Sequence, residues 1–307
     1  GTIQCSASAT NAISYGYRFG TGSEITSSTG DIDFTYTDAG TNNHTVSVFA
    51  YSSTGNSINT SQDITVTVTP DSFSTLIFSD EFDTDGSPES SKWGYDIGTG
   101  NGGWGNNESQ YYTSRSDNVI VEGGFLKIIA KKESYQGSQY TSTRMLTQGK
   151  FDFTYGRVEV RAKLPAGNGT WPAIWMLGAN FSTVGWPATG EIDIMEHAGN
   201  RQGTVQSAMH TPSSFGNTVN HGDQFLSDVS TAFHVYTLEW TSEKMVFAVD
   251  GVTHYTYNPS TKNSSTWPFD APQFLILNVA MGGTFGGAID PNFTTSSMDI
   301  DYVRIYQ

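Results

Sequence analysis

The chain has a single cysteine, Cys5, so no intrachain disulfide can form. Basic residues are scarce: 15 Lys plus Arg stand against 30 Asp plus Glu, a formal net charge of -15. Nucleic acid is therefore excluded as a partner, because its binding relies on cationic neutralisation of phosphates. Strongly anionic polysaccharides are disfavoured for the same reason, and a neutral substrate fits best. No apolar run approaches the roughly 20 residues that a membrane-spanning helix needs, so no membrane insertion is expected. The chain opens on polar sequence rich in Ser, Thr, Asn and Gly. The expectation is a secreted or cell-surface protein whose signal peptide has been removed. No stretch keeps a helical period over 11 or more residues, and no internal repeat is visible.

Three catalytic signatures are also missing. Gly98-Thr99-Gly100-Asn101-Gly102-Gly103 matches G-x-G-x-x-G formally. A dinucleotide site needs a helix N-terminus after those glycines to hold the pyrophosphate, and Trp104-Gly105-Asn106-Asn107 follows instead. The tract reads as a loop beside a cleft. There is no serine nucleophile elbow, and the six histidines show no H-E-x-x-H zinc spacing.

What the sequence does have is strands. In residues 1–70, Thr45-Val46-Ser47-Val48-Phe49-Ala50-Tyr51 and Ile64-Thr65-Val66-Thr67-Val68 alternate with period two between turns such as Thr54-Gly55-Asn56. β-Branched residues at that period suit a half-buried strand. The pattern resembles a PKD or other immunoglobulin-like β-sandwich, although the usual Trp-Asp-Phe-Gly-Asp-Gly signature is absent and Tyr17-Arg18-Phe19-Gly20 stands near its place. Thr69-Pro70-Asp71-Ser72 marks a boundary, since Pro70 ends a strand run. In residues 71–307, Val119–Val121, Phe125–Ile129, Gly156–Lys163, Val235–Trp240, Met245–Val249 and Tyr302–Tyr306 all read as strands. So many short strands predict an all-β domain, a two-sheet jelly roll.

Chemistry concentrates in Gly190-Glu191-Ile192-Asp193-Ile194-Met195-Glu196-His197. On a strand, Glu191 and Asp193 share one face while Ile192 and Ile194 enter the core. Glu196, at an odd offset from Glu191, would join the core face, where an unpaired carboxylate is very costly. One extra residue, a β-bulge near Ile194-Met195, returns it to the face of the other two. Three crowded carboxylates repel one another and raise at least one pKa, which gains the fold nothing. Retaining glycoside hydrolysis needs such a crowd: one carboxyl kept protonated as an acid, another ionised as a nucleophile, about 5 Å apart. The alternative is an edge strand with solvated acids, and the apolar Ile/Ile/Met filling argues against it.

The segment resembles the E-[ILV]-D-x-x-E signature of glycoside hydrolase family 16 in its bulged form. Ser79-Asp80-Glu81-Phe82, Trp104-Gly105-Asn106-Asn107-Glu108, Gln110-Tyr111-Tyr112, Tyr155–Arg161, Trp171-Pro172-Ala173-Ile174-Trp175-Met176, Asn278–Gly283 and Asp301–Arg304 agree with it. The Gly-Trp-Gly-Asn-Asn-Glu and Trp-Pro-Ala-Ile-Trp tracts look most like laminarinases. The resemblance implies a concanavalin-like jelly roll with an open cleft, and retaining endo-hydrolysis of β-1,3-glucan. Mixed-linkage glucan, a marine galactan and a non-catalytic lectin remain alternatives. By the same resemblance Glu191 is the nucleophile, Glu196 the general acid/base and Asp193 the residue that tunes Glu191. It further implies sugar contacts from Trp104, Asn107, Arg157, Trp171, Trp175, Trp186 and His210. Trp171 is divided between cleft and core, Arg157 between sugar and a salt bridge, and His197 between cleft and structure. Cations near the acids are expected to be few: Arg157, Lys163 and Arg201. A structural calcium is implied on Glu81, the Gly124 carbonyl and Asp301, hard oxygen donors that suit a hard cation. No organic cofactor is implied, and a monomer is expected.

Overall fold

The structure is a computed structural model and describes residues 2–36, 38, 40–68 and 73–307. The chain divides into two compact units, Gly1–Ser72 and Phe73–Gln307. The expected boundary tract, Thr69-Pro70-Asp71-Ser72, lies outside the described residues.

The first unit is a small β-sandwich. Thr2–Ser6 pairs with Asp31–Thr35, and Ile25–Ser27, Ala12–Phe19, Gly40–Ser52 and Ser57–Val68 form a second sheet in that order. Alternation along these strands turns Tyr15, Tyr17, Phe19 and Val66 into the core with Tyr36. Phe19 stacks on Phe34 with ring centroids 3.9 Å apart. Outside, Thr and Ser pair across the strands, as in Ser47–Ser61. Cys5 is half-buried and free.

The second unit is a larger sandwich whose described strands form two sheets of ten and seven. The larger runs Val252–Tyr257, Met245–Val249, His234–Trp240, Gly156–Lys163, Thr295–Tyr306, Phe125–Tyr135, Ser138–Ser142, Gln110–Tyr112. Val119–Glu122 and Leu76–Asp80 pair at its side. The smaller runs His221–Phe225, Thr204–His210, Glu191–His197, Thr170–Gly178, Gln273–Met281, Arg144–Leu146, Gly94–Asp96. Helical structure among the described residues is limited to single turns such as Phe181–Val184 and Gly283–Gly286, as the lack of a helical period predicted.

Period two decides what each sheet shows its partner. Gly156–Lys163 buries Val158, Val160 and Ala162 and turns Arg157, Glu159 and Arg161 outward. From the facing sheet, Ile174, Met176, Ile192, Leu275, Leu277 and Val279 complete the same core. Each such side chain contributes about 1.5–3 kcal/mol on burial, so the layer between the sheets is the main source of stability. It also fixes the other face of the seven-stranded sheet, because every core residue commits its neighbours to the opposite side.

Candidate active site

The strand Glu191–His197 carries the bulge that its sequence requires. Toward Thr170–Gly178, Met195 pairs with Ile174 and Asp193 with Trp175, leaving Ile194 over. Toward Thr204–His210, Asp193 pairs with Ala208 and Glu196 with Gln206. Ser207 alone therefore opposes Ile194 and Met195. The extra residue puts Ile192, Ile194 and Met195 in the core and Glu191, Asp193 and Glu196 together on the wall of an open cleft of about 1030 Å³. Gly190 sets the entry to this strand. Its φ is +77°, and a Cβ there would lie 2.6 Å from Phe269 Cε1.

All three carboxyls are held above the usual carboxylate range. Burial is the first cause in each case, and the charge of Asp193 adds to it at Glu191 and Glu196. Three anions packed in one dry stripe cannot all persist, so the trio carries fewer than three negative charges at neutral pH. The His210 ring faces two of them, with Nε2 3.6 Å from Glu191 Oε1 and 3.1 Å from Asp193 Oδ2. Its Nδ1 accepts the Gly216 N–H at 3.0 Å. With Nδ1 accepting, Nε2 is the ring nitrogen left to donate toward the carboxylates. Glu196 Oε1 accepts the Trp171 indole N–H at 3.0 Å.

Aromatic and polar side chains continue the cleft wall. Trp175 donates to Asn278 Oδ1 at 2.7 Å, and Asn278 donates to the Tyr112 hydroxyl at 3.1 Å. Tyr112 in turn donates to Glu108 Oε2 at 3.0 Å. Arg144 lies over both Trp104 and Trp175, 4.6 and 4.7 Å from their ring centroids, and its Nε is 2.9 Å from Asp96 Oδ2. Trp186 is 43% exposed at the cleft rim, edge-on to Phe215. Its indole is positioned to stack on a flat apolar surface such as a pyranose face.

Of the residues expected at sugar, the structure thus brings Trp104, Trp171, Trp175, Trp186 and His210 to the cleft with the three acids. Trp171 belongs to the cleft wall. Two expectations are corrected. Asn107 has a left-handed φ of 57° and is exposed outside the cleft lining, while its neighbours Asn106 and Glu108 line it. Arg157 is on the outward face of the ten-stranded sheet, 3.0 Å from Glu159 and over the Tyr306 ring, because alternation along Gly156–Lys163 points it away from the core and the cleft. Lys163 shares that face and pairs with Asp299 at 3.0 Å. Arg201 does line the cleft, over Phe285. His197 is fully buried, takes the Gly203 N–H at 3.2 Å and is held near pKa 4, chiefly by burial, so it is a structural residue.

Arg144 and Glu108 were not singled out by sequence reasoning. Arg144 sits in a three-residue strand with no motif around it. Glu108, Gln110, Tyr112 and Asn278 did lie in tracts that carry the family resemblance.

The expected calcium donors meet in register but not in side-chain placement. Asp80 pairs with Val303 and Leu126 with Ile300, which carries Glu81, Gly124 and Asp301 to neighbouring positions. Both carboxylates, however, face arginines. Glu81 takes two hydrogen bonds from Arg304 at 2.9 and 2.7 Å, and Asp301 lies 2.5 Å from Arg161 Nη1. The oxygen chemistry fits calcium, while the two arginines compete for it. Among the described residues, the trio of acid and histidine donors within 4.8 Å of one another is Glu191, Asp193 and His210, in the cleft.

A two-sheet jelly roll with three bulge-assembled carboxyls in an open, tryptophan-walled cleft defines a glycoside hydrolase. The chain belongs to the glycosyl hydrolases family 16, whose model matches residues 106–304. It is 44% identical over 245 residues to a beta-glucanase of Rhodothermus marinus, covering 76% of this chain and 85% of that one. The laminarinase structure from Flavobacterium sp. UMI-01 superposes with a TM-score of 0.72 at 44% identity, over 76% of this chain and all of that one. A structure of a non-specific endo-beta-1,3(4)-glucanase superposes with a TM-score of 0.74 at 44% identity, over 78% of this chain and 96% of that one.

Proposed function

We propose that the chain is an endo-β-1,3-glucanase of the laminarin-degrading kind, acting with retention of configuration. The observation that carries this reading is the acid stripe: three carboxyls with raised pKa values on one strand of an open cleft. Glu191 attacks the anomeric carbon as its carboxylate, and Glu196 gives its proton to the leaving glycosidic oxygen. Glu196 then takes a proton from the water that releases the sugar from Glu191. Asp193, the most enclosed of the three, holds charge or proton against Glu191 and so sets when Glu191 is ionised. His210, whose Nε2 faces Glu191 and Asp193, supports the anionic side of that pair. The open cleft admits a chain from the middle, and the tryptophans give it flat apolar walls.

Cleavage of mixed β-1,3/1,4-glucan is a second reading, favoured by the 44% identity to a non-specific endo-beta-1,3(4)-glucanase. Sulfated galactans fit less well, because Arg144 is already engaged by Asp96 and two indoles. A lectin of the same fold has no use for the acid stripe. A screen of the purified protein against laminarin, lichenan, agarose and carrageenan tests the reading, with the anomer of the first product read by NMR. Fastest release of reducing ends from laminarin, as the β-anomer, is expected. An α-anomer, or cleavage confined to a galactan, overturns it.

The same reading extends to a secreted enzyme, since its polymer substrate lies outside cells, and among the described residues no helix is long and apolar enough to cross a membrane. It also takes the chain to work as a monomer. Residues 1–70 are proposed as a PKD-like module, supported by their two-sheet sandwich. Calcium is proposed at Glu81, Gly124 and Asp301, supported by the strand register and opposed by the two arginine pairs.

A further inference from the structure

A bulge solves one problem and creates another. Where two residues oppose one, the ladder loses a hydrogen bond, and a buried carbonyl left without a donor costs about 1–3 kcal/mol. Here the residue that opposes the two bulged residues, Ile194 and Met195, is Ser207. The Ser207 hydroxyl donates to Ile194 O at 2.7 Å, and Ser207 is fully buried. A buried side chain thus donates to the backbone of the catalytic strand at the point where the chain is displaced to bring Glu196 into the cleft.

Ser207 is itself held. His254, on the strand Val252–Tyr257 of the ten-stranded sheet, places Nε2 2.9 Å from Ser207 Oγ. A hydroxyl has one proton, and Ser207 gives it to Ile194. His254 Nε2 must therefore carry the proton and donate to Oγ. The line His254–Ser207–Ile194 O has one consistent direction and ties the catalytic strand to the opposite sheet.

We propose that Ser207, braced by His254, is a positioning residue for Glu196: it fixes the bulge and with it the direction of the acid/base carboxyl. The proposal rests on the role assigned to Glu196 above. Neither residue touches the cleft, and neither is needed to keep the strand paired, because Asp193–Ala208 and Glu196–Gln206 hold on both sides of the bulge. Removing the hydroxyl frees the Ile194 carbonyl to turn. Glu196, two residues on, then loses its alignment with the indole N–H of Trp171 and its placement against Asp193, His210 and Arg201, the groups that face it.

The test compares Ser207→Ala, Ser207→Thr and Glu196→Gln on laminarin and on an activated aryl β-glucoside of a laminari-oligosaccharide with added azide. On the second substrate neither step needs Glu196, because the leaving group departs unprotonated and azide attacks without a base. A displaced acid costs about 10- to 100-fold in kcat, since a misplacement of about 1 Å has that effect. Ser207→Ala is expected to lose that much on laminarin with KM little changed, to shift the alkaline limb of its pH profile, and to regain near wild-type turnover on the aryl substrate with azide. Ser207→Thr, which keeps a hydroxyl, recovers most of the loss. Should threonine not fit, as judged by melting, His254→Gln against His254→Phe repeats the comparison with and without a donor. A normal Ser207→Ala enzyme on laminarin, or one equally impaired on both substrates, overturns the positioning role. If Glu196→Gln itself turns over laminarin normally, the acid/base assignment fails instead.

Discussion

The two faces of the catalytic unit that do not form the core carry similar residues in opposite arrangements. On the outward face of the ten-stranded sheet, acids meet bases: Glu81 with Arg304, Asp301 with Arg161, Asp299 with Lys163, Glu159 with Arg157. Hydrogen bonds from Arg304 hold Glu81 below the usual carboxylate range. On the cleft face, Glu191, Asp193 and Glu196 crowd around one histidine, with Arg144 and Arg201 as the cations of the cleft lining, and all three pKa values rise. Acids that are matched stabilise their surface slightly. Acids that are crowded and enclosed cost stability, and a fold keeps them only where chemistry needs a proton held at neutral pH.

The largest effect that would break this comparison is catalytic. Glu191→Gln should lose turnover on laminarin by on the order of 10⁴-fold or more, and Glu196→Gln by about 10²- to 10⁴-fold, the range of a general acid/base. Circular dichroism should show both folded. Wild-type release of reducing ends by either variant would remove the reason for the crowding.

Next comes pH. A nucleophile that must be ionised and an acid that must be protonated give a bell-shaped profile. Its alkaline limb belongs to Glu196, pushed up to about 8 by burial and by Asp193. In Glu196→Gln that limb should vanish from the residual activity on an activated aryl substrate. A limb that persists unchanged assigns it to another group.

The same shift makes a stability prediction of smaller size. The folded protein holds the Glu196 proton more tightly than the unfolded chain does. The contribution of Glu196 to stability is therefore fully present below its unfolded value of about 4.3 and is lost as pH rises through the folded value near 8. Glu196→Gln should melt higher than wild type at pH 8, by roughly 2–4 °C for each kcal/mol relieved, and the same as wild type near pH 4. On the outward face, Glu81→Gln should behave in the reverse sense, losing stability at neutral pH and none in acid. Its partly exposed ion pair keeps that loss to about 1 kcal/mol or less.

Calcium sharpens the outward face. If an ion displaces the arginines from Glu81 and Asp301, chelation lowers the melting temperature, activity at mild temperature stays unchanged, and Asp301→Ala no longer responds to chelator. A wild-type melt that does not move, with no calcium by metal analysis, leaves the arginine pairs as the whole role of these acids. The smallest effect is expected from the first unit. Deleting residues 1–70 should leave hydrolysis of soluble oligosaccharides nearly intact, and loss of most activity on a short substrate would tie that unit to the reaction.

Much of the site was legible in sequence because strands obey a parity rule. The odd offset from Glu191 to Glu196 forced a bulge, and the bulge is where that offset required it. The outward turn of Arg157 was legible by the same rule, since Val158 and Val160 are core residues, but family likeness outweighed parity there. Asn107 was misplaced because a left-handed turn in a glycine-rich loop has no period to read. Glu108 stood in a tract of the family resemblance without a role of its own, and Arg144 carried no local pattern at all.

The sequence by itself determined the strands, the acid stripe and the side of the sheet each apolar residue takes, because alternation and the cost of burying charge are local properties of the chain. Only the tertiary structure decided which cations meet which acids. Arg304 reaches Glu81 across 223 residues of sequence, and Ser207 and His254 meet under the bulge from strands of opposite sheets. Such pairings depend on which strands become neighbours, a matter of sheet order and register that no single strand encodes.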